Sequence, residues 1–205
     1  MQQTSRRQFL LAASAACLVL VGRSASADAS LSPAEFIAGL GDRAVSALTG
    51  PGLTQAEREK RFRELLDTHC DVPAIGKFVL GQFWRSATEA ERQEFLRLFE
   101  ELLVRSYARR FAEYSGERFE VKDVRKDGGG HAIVQSIVIR PQAENVRVDW
   151  RVASDGQDFR IVDVIVEGLS MAVTQRDEFA SVIQSKGGKV AGLLDVLRAK
   201  VGQGG

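Results

Sequence analysis

The sequence predicts an α+β fold: helices first, then a four-stranded antiparallel sheet, then helices again. Three features point to it. Helix-start signals recur through the first half, the apolar period changes from 3.6 to 2 after Gly116, and helical punctuation returns from Thr174 onward. No internal repeat or linker divides the chain.

Each helix start has a physical cause. Ser32-Pro33-Ala34-Glu35 places an N-cap, a proline at the first helical position and a capping-box glutamate in sequence. Thr54-Gln55-Ala56-Glu57 and Thr88-Glu89-Ala90-Glu91 repeat the box, in which hydroxyl and carboxylate each satisfy an N–H that the helix leaves unpaired. The helix from Glu89 is expected to be the longest, running to about Tyr114. Its stripe of Phe95, Leu98, Phe99, Leu102, Leu103, Tyr107 and Phe111 follows 3–4 spacing. Pro73 to Gly81 reads as a short, largely apolar helix, and Gly50-Pro51-Gly52 as a turn.

Beyond Gly116, Val146, Val148, Trp150 and Val152 alternate with Arg147, Asp149 and Arg151, as in a strand with one wet face. Ala132–Ile139 and Phe159–Val166 are apolar on both faces and belong at the centre of the sheet; Phe119–Val124 suits an edge. Asp127-Gly128-Gly129-Gly130 and Asp155-Gly156 are turn signals, so a meander is the simplest topology. Thr174 to Asp177 reads as a helix cap, Gly187-Gly188 as a stop, and Val190–Val201 as a last amphipathic helix.

Residues 1–27 are read as a cleaved export signal rather than as fold. Arg6-Arg7 precede the uncharged run Phe9–Gly22, and Ala25-Ser26-Ala27 supplies a small-x-small cleavage site. Ser5-Arg6-Arg7-Gln8-Phe9-Leu10 is similar to a twin-arginine signal, and the apolar run is too short to span a bilayer of ~30 Å. Removing it takes away three arginines and no acid. Residues 28–205 then form one domain, expected to be soluble in the periplasm. Cys17 lies inside the signal, which leaves Cys70 as the only mature cysteine and excludes an internal disulfide.

The whole chain of 205 residues carries 28 Lys+Arg against 27 Asp+Glu, with no polybasic stripe for a nucleic acid. Catalytic constellations are poor. His69 and Cys70 are neighbours that point about 100° apart on a helix; Cys70 reads as core and His69 as a helix-end residue. His131 follows three glycines at a hairpin mouth and is expected to face solvent; two such histidines and one cysteine make no zinc site. Asp163, within an apolar strand, is expected to bond backbone or arginine rather than to do acid–base work, and a pocket enzyme using Asp163 with Tyr107 is the rival reading. There is no G-x-S-x-G, P-loop or dinucleotide fingerprint, so no cofactor is expected. What stands out is apolar excess. Ile161-Val162 and Val164-Ile165-Val166 leave little room for a polar sheet face, so either helices cover both faces or one face lines a cavity.

Two strings then become informative. Leu80-Gly81-Gln82-Phe83-Trp84-Arg85-Ser86-Ala87-Thr88 leads into Glu91-Arg92-Gln93-Glu94-Phe95, and Asp163-Val164-Ile165-Val166-Glu167-Gly168-Leu169-Ser170-Met171 is followed by Arg176, Phe179 and Lys186-Gly187. Together they resemble the MlaC, or toluene-tolerance, family of periplasmic phospholipid-binding proteins, auxiliary components of an ABC transporter, along essentially the whole mature chain. Met171–Arg176 is also similar to the hopanoid-associated branch of that family. The twin-arginine signal departs from the general secretory signal common in the family, and implies export after folding.

The resemblance implies a lipid carrier, not an enzyme, that holds acyl chains in an apolar cavity between sheet and helices. Implied partners are a phospholipid or hopanoid ligand, an inner-membrane MCE-domain ABC transporter complex and an outer-membrane lipoprotein complex. With the apolar pattern it nominates Phe78, Phe83, Trp84, Phe99, Leu103, Tyr107 and Phe111 on the helices as cavity lining. From the sheet and just after it come Val148, Trp150, Val166, Leu169 and Met171. Arg85 and Arg109 read first as solvated surface arginines, with pairing to a lipid phosphate at the cavity mouth as the alternative; Glu167-Gly168 would form the turn into the last helices, with Glu167 as a cap.

Overall fold

The computed structural model describes residues 31–154 and 158–202; the predicted export signal and the Asp155-Gly156 turn signal lie outside the described residues. Helices α1 (Pro33–Leu48), α2 (Gln55–His69), α3 (Val72–Leu80), α4 (Phe83–Ser86) and α5 (Glu89–Ala108) come first. A 3₁₀ segment (Arg109–Glu113) leads from α5 to strands β1 (Arg118–Lys126), β2 (Ala132–Ile139), β3 (Val146–Ser154), β4 (Phe159–Val166) and β5 (Leu169–Ser170), and α6 (Met171–Ser185) and α7 (Val190–Gly202) close the chain. The sheet order is β1-β2-β3-β4-β5, each pair antiparallel.

The three capping boxes all form. In each, the Ser or Thr side chain accepts from the N3 backbone N–H while the N3 glutamate accepts from the cap's own N–H, at 2.8 Å for Ser32, 2.9 Å for Thr54 and 2.8 Å for Thr88. These bonds to the charged form hold the Glu35 and Glu57 carboxyls below their usual range.

Two helix boundaries differ from expectation. The long helix is α-helical only to Ala108 and then tightens into the 3₁₀ segment, a common way for a helix to satisfy its last carbonyls. The last stripe residue, Phe111, therefore sits on a tighter turn, where it packs on Phe62 at 6.1 Å between ring centres. Helix α6 starts at Met171 rather than near Thr174, because Ser170 is its cap, accepting from Val173 N–H at 3.1 Å. Thr174 instead donates from its hydroxyl to the Ser170 carbonyl at 2.9 Å.

The sheet has a fifth strand, too short to show in a periodicity. It is made by a two-residue turn in which Glu167 has φ 49° and Gly168 φ 82°, both in the left-handed region that a tight hairpin of this hand demands. Val166 thereby pairs with Leu169. Glu167 caps no helix; its carboxylate accepts from the Arg147 backbone N–H at 2.6 Å and so tethers the turn to β3.

Two apolar cores form. The helix-side core is built from α3, α5, α6 and α7 around Phe95, Phe99, Phe179, Ile183, Leu193 and Leu197. Phe95 and Phe99 stack at 5.8 Å, and Phe179 meets both edge-on. Gly76 is what lets α3 approach α5: a Cβ there would lie 2.4 Å from Leu96. The sheet-side core places Phe36 and Ile37 of α1 over Val134, Val152 and Ile161. Among the described residues, Cys70 is the one side chain packed against both cores. It sits where the chain leaves α2, forming a parallel bridge to Ile161 at the β4 edge.

Candidate functional site

Register decides which side chains share the sheet face turned toward α1. Val134, Trp150 and Val164 stand in one cross-strand row, and Ser136, Val148, Val166 and Leu169 in the next. Val138 opposite Val146 extends the strip. At the Val152–Ile161 end α1 closes over it. Toward the other end burial falls away: Val138, Val146, Val148 and Val166 are half-buried, and Leu169 is 67% exposed.

One polar group interrupts this strip, and it is satisfied within it. The buried Ser136 hydroxyl donates to the Val148 carbonyl and accepts from the Trp150 indole N–H at 3.0 Å. Its donor and the indole N–H are both used within the strip, so neither polar group has to be solvated there.

The helices place the other nominated residues in three different settings. Phe99 is fully buried in the helix-side core, and Phe83, Trp84 and Leu103 pack against that core half-buried. Tyr107 and Phe111 follow one another on the last turn of α5 and the 3₁₀ segment; Arg110 lies 5.4 Å over the Tyr107 ring. Phe78 faces outward, 44% exposed, with the Arg176 guanidinium 5.2 Å over its ring. Met171 is the half-buried first residue of α6. The structure thus unites Val148, Trp150, Val166 and Leu169 on one surface and sets Phe99 apart in solid core. Val134, Val138, Val146, Val164 and Ser136 belong to the same strip but were not nominated; Val146 shares the alternation of Val148 and Trp150, whereas only strand pairing could have revealed the other four, because β2 and β4 are apolar on both faces.

The opposite sheet face carries ion pairs. Asp163, buried, accepts from Arg151 Nη1 at 2.8 Å, from the Ser170 hydroxyl at 2.7 Å and from the Ala172 backbone N–H at 3.1 Å. It ties β3, β4 and the start of α6 together, and every bond it makes is structural. Asp149, on the face expected to be wet, is 2% exposed and pairs with Arg147. His131 is half-buried rather than solvent-facing, and its carbonyl closes the hairpin by accepting from Asp127 N–H at 2.8 Å. His69 ends α2 with its ring edge-on to Phe36 at 5.7 Å, and burial holds it below its usual pKa. Burial pushes the Cys70 thiol up to about 12.

A cavity of about 710 Å³ opens at the β4 edge, between the α2–α3 junction, α5 and Arg160 of β4. Cys70, Val72 and Leu96 form its apolar part; Asp67, Glu100, Arg97 and Arg160 are its charged groups. A smaller cleft of about 280 Å³ lies where Arg105 of α5 and Arg109 of the 3₁₀ segment meet Lys200 of α7. None of the nominated apolar residues borders either. Arg109 does line the smaller cleft, whereas Arg85 is exposed on α4 with its carbonyl taken by Arg92 at 3.4 Å. Among the described residues, no group of three His, Cys, Asp or Glu could hold a metal ion, and no helix is long and apolar enough to cross a membrane.

Residues 40–199 match the family described as MlaC protein. The chain belongs to the MlaC family. It is 25% identical over 135 residues to the toluene tolerance protein ttg2D of Pseudomonas putida, a match covering 65% of this chain and 63% of that one. It is 23% identical over 124 residues to the intermembrane phospholipid transport system binding protein MlaC of Haemophilus influenzae, covering 58% of each. The matched regions thus span about three fifths of both relatives. A solved phospholipid-binding protein from Ralstonia solanacearum, in complex with a phospholipid, shares the fold with a TM-score of 0.74 and 25% identity, over 82% of this chain and 96% of that one.

Proposed function

We propose that this MlaC-family protein is a periplasmic lipid carrier that takes phospholipid acyl chains against the apolar sheet face, between that face and the helices. The observation that carries the reading is the strip Val148–Val166–Leu169 with its neighbours: a sheet face with no free polar group, closed by α1 at one end and progressively open at the other. A filled core has no use for such a gradient. The Ralstonia relative, of the same fold, holds a phospholipid, which supports the same reading here.

The energetics suit a shuttle. Each buried methylene is worth ~0.8 kcal/mol, so a 16-carbon chain gains on the order of 12 kcal/mol on leaving water. That makes free diffusion of the lipid between membranes unfavourable and makes exchange between two protein cavities nearly balanced. Direction then comes from partners, for which we propose an inner-membrane MCE-domain ABC transporter complex on one side and an outer-membrane lipoprotein complex on the other.

The test is transfer of a labelled phospholipid between donor and acceptor vesicles separated by a dialysis membrane that passes the protein only. A transfer rate proportional to protein concentration is expected. Bound lipid that never exchanges would leave a binder and remove the carrier. Faster transfer of a labelled hopanoid than of the phospholipid would change the cargo.

A further inference from the structure

We propose that the cleft between α2, the end of α5 and the end of α7 is a docking site for an acidic protein segment, one carboxylate of which enters between Arg109 and Lys200. The site is separate from the apolar strip. It concerns what holds the protein rather than what the protein carries, and so goes beyond the carrier reading.

The cleft, of about 280 Å³, is lined by three cations, Arg105, Arg109 and Lys200, against a single carboxylate, Glu59. Arg105 and Arg109 stand four residues apart, a spacing that brings like charges together at a cost to the helix. Arg105 is answered within the fold. It bonds the Glu101 carboxylate and, through Nη1, the Val201 carbonyl at the end of α7, where helix carbonyls lack partners of their own. Arg109 and Lys200 are not answered: among the described residues neither side chain enters an ion pair or a hydrogen bond. Glu59 does not supply the missing charge. Its carboxylate accepts from the Gln55 side-chain amide at 2.7 Å and reaches no cation among the described residues. The next arginine, Arg110, lies over the Tyr107 ring and does not line the cleft. Two positive charges are therefore left facing one recess, which is the complement of an acidic partner.

Shape favours a protein segment over a bilayer. The cations line a recess, and its apolar residues, Leu102 and Val201, are half-buried in the wall instead of projecting as a wedge. A side chain reaches into such a space, whereas a flat lipid surface does not. The Ser106 hydroxyl on the same wall is a further donor for a carboxylate. None of the strip residues lines the cleft, so a carboxylate seated there touches none of the surface assigned to the lipid.

The test uses the protein exported to and purified from a bacterial periplasm. The probe is a fluorescein-labelled hexaglutamate peptide, followed by fluorescence anisotropy. Saturable binding at low ionic strength is expected, weakening as salt is added. Arg109→Gln combined with Lys200→Gln should weaken binding about tenfold, the scale of two exposed ion pairs, with Tm and retained lipid unchanged. Lys122→Gln combined with Arg125→Gln removes the same charge from exposed positions on β1 and should leave binding as in the wild type. Equal loss in both double variants would reduce the effect to net charge and overturn the site. Undiminished binding by the cleft variant, or no binding by the wild type, would overturn it as well. Loss of retained lipid in the cleft variant at unchanged Tm would give Arg109 and Lys200 to the cargo instead. Phosphoglycerol vesicles that bind the wild type but not the cleft variant, without peptide binding, would replace the acidic segment with a membrane surface.

Discussion

The helix-side core and the α1-facing sheet surface are both apolar, yet one is closed and the other open. Phe95, Phe99 and Phe179 interlock from α5 and α6, and Leu193, Leu194 and Leu197 of α7 fill the remaining space. On the sheet a single helix covers one end, and Val148, Val166 and Leu169 at the other end belong to neither core. Interlocked side chains on four helices stabilise the chain. A flat period-2 face covered by one helix leaves hydrocarbon surface to be covered by something else. In this molecule the apolar surface that interlocks and the apolar surface left open lie in different layers.

The sharpest way to break that contrast is to empty the closed side. Phe99→Ala removes a ring at the centre of the aromatic triad and should cost about 3–5 kcal/mol, or a fall on the order of 10 °C in Tm by calorimetry, whether or not lipid is present. Next is the polar tie between the layers. Asp163→Ala strands the Ala172 N–H and loosens Arg151 and Ser170, at a cost of about 3 kcal/mol by urea denaturation. Asp163→Asn, which keeps part of the network, should cost less than Asp163→Ala and leave bound lipid intact. Activity lost by Asp163→Asn with the fold preserved would instead favour an enzyme.

Smaller effects sharpen the open side. Gly168→Ala places a side chain at φ 82° and should cost about 1 kcal/mol. Leu169→Ser should change stability by less than about 0.5 kcal/mol, because the side chain is 67% exposed, yet should reduce retained lipid. If Leu169→Ser destabilises as Phe99→Ala does, the open face is core after all.

Cys70 reports on the junction between the layers. With its pKa pushed up to about 12, the native chain keeps the thiol neutral where an unfolded thiol would ionise, near pH 9. Its contribution to stability is whole below about pH 9 and is lost as pH rises from there to about 12. Alkylation of the folded protein should therefore climb with pH well beyond 9, while in urea it levels off near 9.

Local chemistry was the legible part. Ser32, Thr54 and Thr88 with their partner glutamates set three helix starts because a capping box acts within four residues, and the alternation in β3 follows from a period of two. Long-range geometry was not legible. Ser136 joins the apolar strip only through its pairing with Val148, and Leu169 stands at its open end only because Glu167 and Gly168 turn left-handed. Phe99 followed the same stripe as Tyr107 and Phe111 in sequence. Packing of α6 against its face, through Phe179, put it in solid core instead.

The most direct measurement is native mass spectrometry of the full chain exported to a bacterial periplasm, followed by extraction of whatever is bound. A discrete adduct of phospholipid mass, one per chain, is the predicted result. A clean apo mass, from a hopanoid-making host as well as from one without hopanoids, would contradict the account and return the open sheet face to ordinary surface.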